Sequence, residues 1–97
     1  MKKQPCVYIV TNRPKGALYV GVTSSILHRG WQHRTGQFPG FTKKYRLHRI
    51  VYIEFHGSFA DAIRREKRIK RWRRAWKIRL IESQNPEWRD LYSLLVV

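Results

Sequence analysis

Acidic residues are scarce in this chain: six Asp and Glu stand against 21 Lys and Arg, a net charge of +15 over 97 residues. A surface built only for solubility mixes both signs. This one-sided field instead draws in polyanions and speeds their encounter. Nucleic acid is the partner it implies, well ahead of an anionic membrane. Cysteine is nearly absent. Cys6 stands alone, which excludes an internal disulfide and a cysteine-rich zinc site and fits a reducing compartment. No apolar run approaches the roughly 18 residues of a membrane span. The basic start, Met1-Lys2-Lys3-Gln4-Pro5, is followed by no apolar h-region, so a secretory signal is not expected. The expectation is a cytoplasmic protein with no membrane partner, either a monomer or a weak homodimer.

Apolar residues are not scarce. They make up 42% of the chain, and aromatics 13%, enough for a packed fold. The length allows one domain, residues 1–97, with a thin core, since a chain this short buries only about 60–65% of its unfolded surface.

Cys6 to Val10 reads as a buried strand. Thr11 to Gly16 supplies a turn, and Leu18 to Thr23 a second strand paired with the first. Ser24 or Ser25 is placed to cap a helix running to about Arg34. A Gly- and Pro-bearing loop spans Gly36 to Thr42. Arg49 to Phe55 is a third strand, rich in β-branched and aromatic residues. Ser58 and Asp61 resemble a capping box opening a long helix that continues through Trp76 to Glu82. Asn85 and Pro86 suit the N-cap and first position of a last short helix. The fold class predicted is α+β, a three-stranded, mainly antiparallel sheet flanked by helices in the order β-β-α-β-α-α.

Several side chains suggest chemistry, each beside a plainer role. On a helical wheel Glu66 falls within the stripe of Phe59, Ala62, Ile63 and Ile69, while Arg64, Lys67, Arg68 and Arg71 point away. A carboxylate there needs a cation. Either a divalent metal ion or Lys70, one turn on, would serve. Arg29 and His33, four apart, border an apolar helix face. A guanidinium held there grips phosphate in bidentate fashion; the plain role is a solvated helix edge, or a half-buried ring for His33. Tyr8 and Tyr19 lie on neighbouring strands and reach one face if the pairing is antiparallel. They are either core aromatics or phenols whose pKa nearby cations lower. Asn85 before Pro86 is an ordinary helix cap. Trp72 and Trp76, four apart at helical spacing with Ile69, either pack or stack on bases. The tail Leu94-Leu95-Val96-Val97 covers either its own domain or a partner.

Val7-Tyr8-Ile9 and Tyr19-Val20-Gly21 resemble the two tripeptides that name the GIY-YIG nucleases, with Val for Gly in the first and Val for Ile in the second. The ordered set Tyr8, Tyr19, Arg29, His33, Glu66 and Asn85 fits that family from Val7 to about Tyr92, in a form similar to small bacterial members related to the excinuclease nuclease module. The resemblance implies a divalent-metal-dependent endonuclease hydrolysing phosphodiester bonds, in DNA rather than RNA, for repair or recombination. It implies a catalytic set of Tyr8, Tyr19, Arg29, His33, Glu66 and Asn85, of which Tyr8, Tyr19, Arg29 and Glu66 are expected to converge on one concave patch. Tyr8 would be the general base, Tyr19 would orient the nucleophile or the phosphate, and Arg29 would hold the phosphate. Glu66 would bind one Mg²⁺ or Mn²⁺. Lys15, Arg34, Lys43, Lys44 and Lys70 are the cations expected on the nucleic-acid backbone. The alternative is a non-catalytic nucleic-acid-binding module that keeps the fold.

Overall fold

The computed structural model describes residues 4–38 and 40–95. Its strands are β1 (Cys6–Thr11), β2 (Leu18–Thr23) and β3 (Arg49–Phe55). Its helices are α1 (Ile26–Arg34), α2 (Phe41–Lys44), α3 (Phe59–Lys70), α4 (Arg74–Gln84) and α5 (Tyr92–Leu95). The sheet order is β2-β1-β3, antiparallel throughout, so the predicted α+β class and sheet are present. β1 is central and buried along its whole length. That explains why it reads as a continuous apolar run rather than an alternating one.

Both faces of the sheet are covered. On one, Val7, Ile9, Val20 and Tyr52 pack with Ala62 and Ile69 of α3, Ile81 of α4, and Trp88. On the other, Cys6, Tyr8, Val10, Ile50 and Ile53 pack with Ile26 of α1, with Leu47, and with Leu91, Tyr92 and Leu95. Ile9 pairs with Tyr52 but Val10 with Ile50. Val51 is therefore the extra residue of a β-bulge, and it joins Tyr52 in the first cluster. Leu95 thus packs on its own chain while Leu94 stays exposed; Val96 and Val97 lie outside the described residues.

The structure corrects four local expectations. The long helix over 58–82 is two helices, broken at residues 71–73. A straight helix of that length would run about 36 Å, beyond the molecule's greatest extent of 31 Å; the break lets Ile69 and Ile81 bury against one sheet face. Asn85 does not open a helix: it closes α4, and the last helix begins only at Tyr92. The loop after Gly36 winds into the short α2. Phe59, placed in the buried stripe of α3, is exposed, whereas Ala62, Glu66 and Ile69 are buried. Ser58 does cap α3, its hydroxyl accepting from the Asp61 amide at 3.1 Å. Ser25 takes the N-cap position of α1 without a side-chain hydrogen bond.

Candidate active site

The β1–β2 register sets Tyr8 opposite Gly21 and Val10 opposite Tyr19. Residues two apart in a strand share a face, so both phenols lie on the α1 side of the sheet. Gly21 is required there. A Cβ at that position would stand 2.5 Å from Cζ and the hydroxyl of Tyr8, so only glycine leaves room for the ring. The valine at position 7 sits on the opposite face, fully buried in the first cluster.

Helix α1 lies over these tyrosines. Gly30 permits the close approach of α1 to β3 and Tyr92, since a Cβ there would meet the Tyr92 ring at 2.6 Å and Ile50 Cδ1 at 2.9 Å. Arg29 and His33, one turn apart, both reach Tyr8. Arg29 donates an N–H to the phenolic oxygen at 3.2 Å, and Nε2 of His33 lies 3.0 Å from the same oxygen. A guanidinium only donates, so the Tyr8 hydroxyl accepts from Arg29; the same oxygen shares a hydrogen bond with His33 Nε2, in a direction set by the His33 tautomer. The other ring nitrogen, Nδ1, is buried without a partner among the described residues. Arg29 also donates to Gln32 Oε1 at 3.1 Å and to the Val22 carbonyl at 3.4 Å, and its guanidinium lies 4.7 Å above the Phe38 ring.

Burial sets the proton states of this cluster. Desolvation drives the Tyr8 phenol far above its ordinary range and outweighs the pull of Arg29. Desolvation first, then Arg29, lowers the His33 imidazole to about 4. At neutral pH both groups are uncharged. The expectation that nearby cations would lower the Tyr8 pKa is therefore corrected. One arginine does not replace the water that a fully buried phenolate loses.

Tyr19 is the more open phenol. It is half-buried, with its ring centroid 6.1 Å from those of His33 and Phe38. Lys70 Nζ lies 5.8 Å from the same centroid. Lys70 comes from α3, on the opposite face of the sheet, and reaches Tyr19 past β2, which is an edge strand. It also pairs with Glu66, Nζ to Oε2, at 2.9 Å. Glu66 is nearly buried and Lys70 half exposed.

The expected site residues are therefore brought together in parts. Tyr8, Arg29 and His33 form one hydrogen-bonded cluster, with Tyr19 beside it. Glu66 belongs to α3 on the other face of the sheet, and Lys70 links it to Tyr19. Asn85 is elsewhere. It donates to the carbonyls of Val51 at 3.1 Å and Arg89 at 2.8 Å and accepts from the Arg89 amide at 3.0 Å. It so fastens the loop after α4 to β3, the edge away from β2. Of the expected backbone-binding cations, Lys15, Lys43 and Lys44 are exposed. Arg34 is engaged, paired with Asp90 and stacked 4.5 Å over Tyr92, which pins α5 to α1. Lys70 is likewise committed to Glu66. Phe38 and Gln32 belong to the cluster but were not expected. The available signals were weak: an aromatic ring inside a Gly/Pro loop, and an amide three residues after Arg29.

Among the described residues no group of three or more His, Cys, Asp or Glu gathers as a metal cage. Glu66, the carboxylate expected to hold a metal, would be its lone protein ligand. That is unsuited to zinc, which takes three or four protein ligands. It suits Mg²⁺, which binds through one or two carboxylates and fills its shell with water and substrate phosphate.

The family model for the GIY-YIG catalytic domain matches residues 4–79. A UPF0213 protein of Oceanobacillus iheyensis is 33% identical over 90% of this chain and 100% of its own length. UPF0213 proteins of Syntrophus aciditrophicus and Staphylococcus aureus are 38% and 36% identical, covering 84% and 80% of this chain and 92% and 94% of theirs. No solved structure gives a significant match. The chain belongs to the GIY-YIG nuclease family. Within it, the chain is similar to the small bacterial UPF0213 proteins.

Proposed function

We propose that this protein is a divalent-metal-dependent endonuclease that hydrolyses phosphodiester bonds in nucleic acid, DNA rather than RNA. We place it in the cytoplasm, in repair or recombination, as a monomer or weak homodimer. The observation that carries the reading is the buried Arg29–Tyr8–His33 cluster beside the more open phenol of Tyr19. A basic protein needs no such device merely to bind a polyanion.

In this reading Tyr8 and His33 are positioning residues. Their hydrogen bonds hold the Arg29 guanidinium in one orientation. Its second terminal nitrogen has no hydrogen-bond partner among the described residues and is left for a phosphate oxygen, where it offsets charge developing in the transition state. Tyr19 serves as the base in place of the buried Tyr8: its phenol first gives its own proton to solvent, and the resulting phenolate takes the proton from the attacking water, whose oxygen bonds to phosphorus as the leaving oxygen departs. Glu66 would hold Mg²⁺ or Mn²⁺, with Lys70 turning to the phosphate; an ion there supplies charge stabilisation at the leaving oxygen. Lys15, Lys43 and Lys44 hold the flanking backbone.

One observation favours a second reading, a non-catalytic nucleic-acid-binding module: the Glu66 carboxylate already has a cation partner in Lys70. The deciding experiment is cleavage of supercoiled plasmid, single strands, flaps and RNA in Mg²⁺, Mn²⁺ or EDTA. Cleavage in either metal and none in EDTA is expected. Salt-sensitive binding with no cleavage of any substrate would establish the module instead.

A further inference from the structure

Outside this site, α4 carries a feature that catalysis does not use. An open cavity of about 410 Å³ is lined by Trp72, Trp76, Arg79, Leu80 and Ser83, and its walls are almost wholly apolar. Positions 76, 79, 80 and 83 recur at helical spacing, so one face of α4 forms most of the wall, while Ile81 turns to the sheet. The two indoles meet edge to face, with centroids 6.2 Å apart and planes at 80°. Trp76 is 45% exposed, so one face of its ring is open to an incoming group.

The surroundings of the cavity are cationic. The Arg65 guanidinium lies 5.2 Å from the Trp72 ring and that of Arg73 lies 5.0 Å from the Trp76 ring. Arg79 forms part of the wall itself. Arg65 is tied to Glu54 at 2.9 Å, but Arg73 and Arg79 form no ion pair among the described residues. The neighbouring carboxylate of Glu82 is occupied by the Trp88 indole N–H at 2.8 Å. An apolar wall alone would accept an aliphatic protein segment. With guanidiniums beside it, the complementary occupant is anionic and carries a flat π-face.

We infer that this cavity receives an unpaired nucleotide of a single-stranded nucleic-acid segment, its base against the Trp76 indole and its phosphates on Arg73 and Arg79. Stacking on an indole tolerates any base, because every base offers a π-face. A duplex cannot supply such a base without unpairing it, so the cavity favours single strands over duplex. The inference rests on the reading of the protein as nucleic-acid-binding, but not on its cleaving anything.

The test is fluorescence anisotropy of the full chain in EDTA, where metal-dependent cleavage is off. The probes are a labelled oligothymidine of about 12 nucleotides, within the range one binding module covers, and a duplex of equal length. Trp76→Ala should weaken single-strand binding about tenfold and leave duplex binding nearly unchanged, whereas Trp76→Phe should keep most of the affinity. Arg79→Ser, on the exposed face of α4, gives an independent reading and should also cost more on the single strand than on the duplex. Equal losses on both probes, or no loss on either, would overturn the proposal. So would a dimeric parent that Trp76→Ala renders monomeric in light scattering, because the cavity would then be an interface between two copies. A parent that cleaves nothing in Mg²⁺ yet shows the Trp76-dependent preference would sink the nuclease reading and leave this one standing. A parent that cleaves, with a Trp76→Ala variant of undiminished single-strand affinity, would do the reverse.

Discussion

The phenolic oxygen of Tyr8 lies 3.0 Å from Nε2 of His33 in a fully buried setting, and this bond separates the roles of the two tyrosines. Tyr8→Phe removes the one group that Arg29 and His33 share, leaving the buried His33 Nε2 unsatisfied. It should lower stability by about 1–3 kcal/mol and reduce cleavage as Arg29 loses its orientation. Tyr19→Phe should leave stability nearly unchanged and cut cleavage by about 10²-fold or more. Urea unfolding beside plasmid nicking measures both. If Tyr19→Phe nicks at the parent rate, Tyr19 is not the base.

Glu66→Gln keeps size and packing but removes the charge. Its partner Lys70 is half exposed, so water compensates the ammonium for the loss. Stability in EDTA should therefore change by less than about 1 kcal/mol. Cleavage in Mg²⁺ should collapse while DNA binding holds, since that is carried by Lys and Arg. A variant that is destabilised in EDTA yet still nicks at the parent rate would make Glu66 a structural ion pair only.

His33 gives the fold an acid sensitivity. Its folded pKa of about 4 lies below the ordinary value near 6.5. Above pH 6.5 the imidazole is neutral in both states and its burial costs nothing in protonation. As pH falls from about 6.5 to about 4, the unfolded chain takes up a proton that the folded protein refuses, and stability drops. The full loss is on the order of 3 kcal/mol, levelling off below pH 4. Urea midpoints across this range should slope for the parent and flatten for His33→Gln. Equal slopes would show that His33 is protonated in the fold.

Gly21→Ala tests the close approach of β2 to Tyr8. The added methyl would stand 2.5 Å from the phenol, and the fully buried ring has nowhere to go. Destabilisation of about 1–3 kcal/mol is expected, with cleavage falling as the Tyr8 hydroxyl is displaced from His33 and Arg29. A variant as stable as the parent would contradict this packing.

The net charge of +15 predicts a salt-sensitive complex. With ~5 phosphates neutralised, the log–log slope of binding to duplex DNA should be roughly −4 to −5. Replacing exposed Lys43 and Lys44 together by Ala should flatten it by about 2, near 0.9 per lost contact. A slope unmoved by the pair would place the backbone elsewhere.

The sequence by itself determined the three strands, the sheet they form, and the pairing of Arg29 with His33 on one helix face. These follow from local periodicity: an apolar run for a strand buried on both faces, β-branched residues in β3, and a four-residue spacing in α1. It also marked Glu66 as an acid on a buried stripe, though not which cation would answer it. Only the tertiary structure decided what lies far apart in sequence. The burial of Tyr8, and with it the rise of its phenol's pKa, depends on α1 closing over the sheet 21 to 25 residues away. Lys70 reaching past the edge strand to Tyr19 depends on sheet order, which no local pattern encodes. The same holds for the break at residues 71–73. Each half of that segment is a good helix, and nothing local stops it. The turn exists because Ile69 and Ile81 must both return to one small sheet.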